Sequence, residues 1–174
     1  MGEYDYETTF TFRKPNHFWK FLNKQMVIES NTTLNDSGNK KYHLLLFSSL
    51  PTDFNDCINS SNGCLKTSSL PSGMTQITTG FTDATFKLGV ELIDNGENGF
   101  NLYLDETSDV DITISDNTTL YVKGVALAKT QGTNSGNNYI VAYARASTPV
   151  KCQNAITLMK GTSFVGHSSC KEVN

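Results

Sequence analysis

Between Ala84 and Ile114 the chain alternates apolar and polar residues with a period of two, and no other feature of the sequence constrains the fold as strongly. Ala84, Phe86, Leu88, Val90 and Leu92 are apolar, while Thr85, Lys87 and Glu91 between them are polar. Successive side chains of a strand point to opposite faces, so such a tract buries one face of a sheet and wets the other. The run Asp94-Asn95-Gly96-Glu97-Asn98-Gly99 supplies two Asn-Gly steps suited to the positive φ of a hairpin turn, and Phe100, Leu102 and Leu104 resume the alternation. A β-hairpin is predicted there. Val110, Ile112 and Ile114, set between Asp109, Asp111, Thr113 and Ser115, give another strand with one solvated face. The even-numbered apolar residues Phe86, Leu88, Val90, Leu92, Phe100, Leu102, Leu104, Val110, Ile112 and Ile114 are expected to share one core.

The residue balance points the same way. The chain has 21 Thr, 17 Asn and 16 Ser among 174 residues. Short polar side chains compete for backbone hydrogen bonds and favour turns, caps and strand surfaces over long helices. Further strands are predicted at Tyr42 to Phe47, Leu120 to Ala128, Tyr139 to Ala146, Ala155 to Met159 and Ser163 to Gly166. In the Leu120 strand the apolar positions fall at Leu120 and Val122 before Gly124, and at Val125 and Leu127 after it, so a bulge that switches faces is expected at Gly124. Residues 31–41 are predicted to be a polar loop. Residues 51–75, rich in Ser, Asn, Gly and Pro, are predicted to be a long connection of the kind that is mobile or serves as a contact surface. The tip at 130–138 has no apolar anchor and is expected to be mobile. Eight or so short strands with strong turn signals predict an all-β chain, an antiparallel β-sandwich or jelly roll with one short N-terminal helix.

A hydrophobic content of 37 % at this length supports one core rather than two. The organisation expected is an aromatic N-terminal arm with a short helix over 1–35, followed by a β-sandwich domain over 36–174. No stretch approaches the roughly 18 apolar residues that cross a bilayer, so no membrane partner is expected. Fourteen basic against seventeen acidic residues give a net charge of -3, without the basic excess that nucleic acid binding requires. The opening Met1-Gly2-Glu3-Tyr4-Asp5-Tyr6-Glu7 lacks the basic and apolar regions of a secretory signal. Asn-x-Ser/Thr triplets at Asn31, Asn35, Asn59 and Asn117 match the roughly 3.6 that 17 Asn and 37 Ser plus Thr produce by chance, so they carry no glycosylation signal.

Candidate chemistry is sparse. Cys57, Cys64, Cys152 and Cys170 are expected to be reduced thiols, and their separations, like the scattered His17, His43 and His167, do not match a zinc site. If disulfides form, Cys57 with Cys64 and Cys152 with Cys170 are the natural pairs. Gly161-Thr162-Ser163-Phe164-Val165-Gly166 places its second glycine one residue late for a nucleophile elbow. Asp105, Glu106, Asp109 and Asp111 lack the order of a calcium loop and are taken as a solvated face. Gly132 and Gly136 have no following helix to make a phosphate loop. No cofactor, no metal and no catalytic residue is assigned, and the chain is expected not to be an enzyme.

The aromatic residues are concentrated at the start. Tyr4, Tyr6, Phe10, Phe12, Phe18, Trp19 and Phe21 are seven of the 18 aromatic residues in the chain, and Arg13, Lys14, Lys20 and Lys24 lie among them. Thr8 to Phe12 alternates like a strand, and the run from Asn16, a helix cap, to Met26 puts Phe18, Phe21, Leu22 and Met26 on one helical face. This is more aromatic surface than a capping helix needs, and Tyr, Trp and Phe dominate interface hot spots. The seven aromatic residues are therefore the candidate partner-binding residues.

The tract Leu120-Tyr121-Val122-Lys123-Gly124-Val125-Ala126-Leu127, a polar tip and then Tyr139-Ile140-Val141-Ala142-Tyr143, followed by Pro149-Val150 and Ala155-Ile156-Thr157-Leu158, resembles hairpins in small β-rich virion structural proteins of tailed bacteriophages. The match spans about 50 C-terminal residues and leaves the first 110 outside it. The Asn, Thr and Ser bias is similar to that of large phages with AT-rich genomes, including the crAss-like group. The resemblance implies a non-enzymatic capsid decoration, auxiliary capsid or tail accessory subunit. Such a subunit is assembled in the host bacterial cytoplasm into the virion, in many copies or as a homo-oligomer, against other capsid or tail proteins. It transfers no site residues. A lectin-like carbohydrate-binding β-sandwich module is the alternative reading.

Overall fold

The computed structural model of the chain describes Phe12, residues 28–29, 33–34, 42–59, 64–92, 100–130 and 137–168. The predicted helix after Pro15, the hairpin tip at 93–99 and the tip at 131–136 lie outside the described residues. Within them the chain is all-β, with thirteen strands. A first sheet, the spine, has the order β4-β11-β10-β3-β5, formed by β3 (Tyr42–Ser49), β4 (Cys64–Lys66), β5 (Thr75–Ile77), β10 (Leu120–Thr130) and β11 (Asn137–Cys152). A second has the order β1-β2-β7-β8-β13, formed by β1 (Ile28–Glu29), β2 (Thr33–Leu34), β7 (Leu88–Leu92), β8 (Phe100–Leu104) and β13 (Ser163–Ser168). The third is β12-β9-β6, formed by β6 (Phe81–Thr82), β9 (Val110–Ile114) and β12 (Ala155–Leu158). Every pairing between these strands is antiparallel. β1 and β2 come from inside the 1–35 segment and extend the edge of the second sheet.

The predicted hairpin is present as β7 paired with β8, Leu88 opposite Leu104 and Leu92 opposite Phe100. Gly89 faces Tyr103 across it, and a Cβ there would lie 2.5 Å from the phenol ring, so the glycine lets the ring lie flat on the strand. Phe86, Leu88, Leu102, Leu104, Ile112 and Ile114 are buried in one cluster, and Val110 packs at its margin, as the alternation predicts. The side chains of Val90, Leu92 and Phe100 lie outside the described residues. The main core is closed by the spine sheet on one side, through Leu44, Leu46, Val122, Val125 and Leu127, and by the other two sheets on the opposite side.

The expectation of one core needs correction. The spine is buried on both faces, and its outer face carries a second cluster built on Leu45, Phe47, Ala126, Ala128 and Ile140. What covers that face is the segment expected to be an open connection. A 3-10 helix at Phe54–Cys57, capped by Asp53 accepting from the Asn55 amide at 2.9 Å, lays Phe54 onto the sheet, and Ile58, Leu65 and Met74 follow. Phe54 stacks on Tyr143 with centroids 4.9 Å apart and meets Phe47 edge-on at 5.9 Å. The Asn55 amide donates to the Tyr143 hydroxyl at 3.1 Å. Phe54, Cys57, Ile58 and Met74, scattered apolar residues in a polar connection, thus make a third layer over a sheet to whose edge β4 contributes Leu65.

Two bulges fit the spine strands to their neighbours. The register between β10 and β11 shifts at Val122/Gly124, where the face switch was expected, so Leu120, Val122, Val125 and Leu127 all reach the main core. A Cβ on Gly124 would lie 2.1 Å from Leu50 Cδ1 and 3.0 Å from the Ala144 carbonyl. The second shift, at Leu127/Ala128, leaves Val141 as the extra residue on β11, so Val141 and Ala142 both face the main core although they are adjacent.

Candidate functional site

Of the seven candidate partner-binding residues, the structure describes Phe12. Tyr4, Tyr6, Phe10, Phe18, Trp19 and Phe21 lie outside the described residues. The Phe12 ring meets Phe164 edge-on, centroids 4.9 Å apart and planes at 84°, and Phe164 in turn stacks on Phe86 at 6.2 Å. Phe12 is therefore packed against the chain's own main core. It also forms one wall of a cleft of about 540 Å³ that runs between the spine and β12, lined by Leu44, Val125, Val150, Ile156 and Leu158. Met159, 67 % exposed, stands at the same cleft and is the most exposed large apolar side chain among the described residues.

A second surface lies on the outer face of the spine where the covering segment stops. Leu50 closes over Gly124, and before that point β10 and β11 run on uncovered by it. Leu120 and Val122 point to the main core, so strand alternation turns Tyr121 and Lys123 outward. Tyr121 is 44 % exposed and lies directly opposite Lys151, and exposed Arg145 faces Gly124. The Lys123 ammonium donates to the Ser147 carbonyl. Three cations and a phenol therefore share one face of a two-stranded ribbon. None of the compared protein-family models, curated proteins or solved structures matches the chain.

The acidic group taken as a solvated face is used to close loops. Glu106 Oε1 accepts from the Lys87 amide at 3.0 Å, Asp109 Oδ1 from the Lys160 amide at 2.8 Å, and Asp111 Oδ1 from the Thr157 hydroxyl at 2.7 Å. The three carboxylates are spread along β9 and its approach, each holding a different segment, and they do not converge. Among the described residues no three His, Cys, Asp or Glu side chains group as metal ligands would. Ser163 is exposed on β13 and hydrogen-bonds Asn101 across the pair with β8. The side chain of His167 lies outside the described residues.

None of Cys57, Cys64 and Cys152 is in a disulfide, and Cys170 lies outside the described residues. Burial pushes all three thiols up: Cys57, where Asp56 and Asp53 add to the effect, Cys152, and Cys64 to about 11 despite a hydrogen bond with Tyr139. At pH 8 about one Cys64 in a thousand is thiolate, and the thiolate is the reactive form. We expect a thiol reagent at that pH to leave Cys57 and Cys64 unlabelled in the folded protein and to count four thiols in denaturant. Labelling of Cys57 as fast as of a free cysteine would show that the covering segment opens, and such labelling of Cys64 would show that the main core does.

The arrangement sequence reasoning missed is a chain of polar groups on the outer face of the spine. His43 on β3 sits with Nδ1 3.0 Å from Asp83 Oδ2 and Nε2 3.1 Å from Asn138 Oδ1, and Asn138 Nδ2 donates to Thr67 Oγ1 at 3.4 Å. Asn138, 5 % exposed, is the one buried polar residue among those described. The four residues are 95 positions apart at the widest, and nothing in their local sequence links them. The single available signal was His43 between the apolar Tyr42 and Leu44, since Asn138 reads in the sequence as the last residue of the polar tip.

Proposed function

We propose that the chain is a non-enzymatic structural subunit that works through protein contacts in a multicopy assembly, and that the assembly is a bacteriophage virion, in which it serves as a capsid decoration, auxiliary capsid or tail accessory protein. The observation that carries this reading is the β10–β11 ribbon. The strands that resemble phage virion hairpins form the centre of the spine and continue beyond its cover, presenting Tyr121, Lys123 and Arg145 outward. Tyr121 and Arg145 are of the residue types enriched at interface hot spots, while lysines such as Lys123 are the ordinary residues of an interface rim. The engagement of Glu106, Asp109 and Asp111 in closing loops supports a structural use of the carboxylates.

The aromatic arm is the second contact in this reading, with Tyr4, Tyr6, Phe10, Phe18, Trp19 and Phe21 reaching a neighbouring subunit and Phe12 anchoring the arm to its own core. We expect deletion of residues 1–24 to lower thermal stability moderately, since the Phe12 contact is lost, and to abolish incorporation into particles. Particle composition by mass spectrometry, with melting temperature measured in parallel, checks this. Normal incorporation of the truncated chain removes the arm from the interface, and unfolding of the truncated chain makes it part of the fold. A full-length chain that binds sugars as a free monomer and is absent from particles is a carbohydrate-binding module instead.

A further inference from the structure

We propose that His43, Asn138 and Thr67 form a proton-operated clasp that fastens the covering segment to the spine sheet and reverses its hydrogen bonds when His43 changes charge. The side chain of His43 is 15 % exposed, and both its ring nitrogens face oxygens, the Asp83 carboxylate and the Asn138 amide oxygen. Both of these oxygens only accept, so this arrangement is the one the imidazolium makes, with a hydrogen on each nitrogen. The chain then runs outward from the charge: imidazolium to Asn138 Oδ1, and Asn138 Nδ2 to the Thr67 oxygen. Thr67 belongs to the turn that follows β4, closed by the Ser69 amide donating to the Lys66 carbonyl at 3.1 Å. Through it the cation holds the turn in the middle of the covering segment, between Leu65 and Met74, and through Asp83 it holds the connection between β6 and β7.

Release of one proton to solvent changes the whole chain. The Asp83 carboxylate keeps the hydrogen on Nδ1, so Nε2 becomes an acceptor and faces a second acceptor, Asn138 Oδ1. The clash is relieved when the amide turns over, its NH₂ donating to Nε2 and its oxygen taking the Thr67 hydroxyl proton. Every group is again paired. However, the ion pair with Asp83 is reduced to a hydrogen bond from a neutral ring to the carboxylate, and the bond the imidazolium made to Asn138 is replaced by a neutral one about half as strong. The cover is held less firmly in the neutral state.

The charged groups on the elements around His43 agree with this direction. Asp83 is the anion in contact. On β4 the adjacent cation is Lys66, exposed to solvent, and on β10 it is Lys129, whose ammonium lies over the Tyr42 ring at 5.8 Å. β5 carries no titratable side chain. Tyr139 on β11 and Cys64 on β4 hydrogen-bond each other in the main core. Burial pulls the imidazolium down, and the Asp83 hydrogen bond and charge, with the Asn138 bond, more than offset it, leaving His43 above its ordinary value. A group raised in this way contributes stability in full below its unfolded value of about 6.5, and the contribution is lost as pH rises through the folded value.

The test is the ¹⁵N ring spectrum of the full chain against pH, with amide hydrogen exchange of residues 64–67 corrected for the intrinsic pH effect. Both His43 nitrogens are expected to be protonated at pH 6, converting to the Nδ1-H tautomer at a midpoint above 6.5, with protection of the Leu65 and Thr67 amides falling several-fold over the same range. Asp83→Asn is expected to bring the midpoint below that of the native chain, and Asn138→Asp to raise it. Thr67→Val is expected to leave the ring titration in place and remove the pH step in protection. A neutral ring at pH 6, an Nε2-H tautomer above the midpoint, or protection that does not follow the His43 titration in the native chain overturns the clasp.

Discussion

Truncating Leu102 to alanine is expected to lower the unfolding free energy by about 2 to 5 kcal/mol, the range for removing a fully buried leucine side chain whose surroundings close up only in part. Leu102 is 0 % exposed and stands on β8 opposite Val90, in the cluster that joins all three sheets. Chemical denaturation gives the loss directly, and in a chain of this size the melting temperature falls by about 2 to 4 °C for each kcal/mol. Met159→Ala is the control: at 67 % exposure its cost stays within about 0.5 kcal/mol. A Leu102→Ala cost as small as that of the control would mean that the even-numbered face of the hairpin does not line the core.

Replacing Phe54 with alanine tests the third layer, and the expected cost is about 3 to 5 kcal/mol, far above that of a surface substitution. The ring is 1 % exposed, stacks on Tyr143 and meets Phe47. Aromatic pairs of this kind add about 0.5 to 1.5 kcal/mol to the burial itself. Without Phe54 the 3-10 helix has no anchor, so limited proteolysis should cut within 50–59 of the variant and spare the native chain. Phe54→Leu should restore most of both. If Phe54→Ala unfolds as easily as the native protein and resists protease equally, the segment is a surface loop that adds nothing to the sheet beneath it.

These two residues mark what could be read in advance. Leu102 lies in a tract where each apolar residue alternates with a polar one, and period-two patterning names both the strand and its buried face. Phe54 lies among Asp and Asn, and its nearest apolar partners, Cys57 and Ile58, follow at the three- and four-residue spacing of a single helical turn, too short a pattern to stand out in a polar connection. Its burial depends on a sheet face completed by residues 70 or more positions later. The spine strands sent a related signal. Leu44-Leu45-Leu46-Phe47 and Val125-Ala126-Leu127-Ala128 are apolar without interruption because both faces are covered, and such runs mark a strand buried on both sides. The bulge at Gly124 was legible because the apolar parity changes there, whereas the one at Val141 was hidden inside an apolar run where parity cannot be followed. The polar chain through His43 was illegible for the same reason as Phe54: its members meet only after β10 has joined β3 to β11 and β4 in one sheet.

The strand order of the spine sets a timetable. β3 has the short edge strand β5 on one side, made some thirty residues after it, but on the other it pairs with β10, Leu46 opposite Val125 and Leu44 opposite Leu127, so its main partner is made some eighty residues after it. During synthesis, from the N-terminal end, Tyr42 to Phe47 leaves the ribosome with neither its sheet nor its cover in place, since Phe54 and Met74 also need β10 and β11 to lie on. The hairpin of β7 and β8 closes locally in the meantime and offers Leu102 and Leu104 to a layer that does not yet exist. A run of four large apolar residues exposed for that interval is the segment on which nascent chains associate with one another or are held by chaperones. Completion of β11 ends the exposure on both faces at once, because the same two late strands supply the neighbour of β3 in the sheet and the floor on which its cover rests.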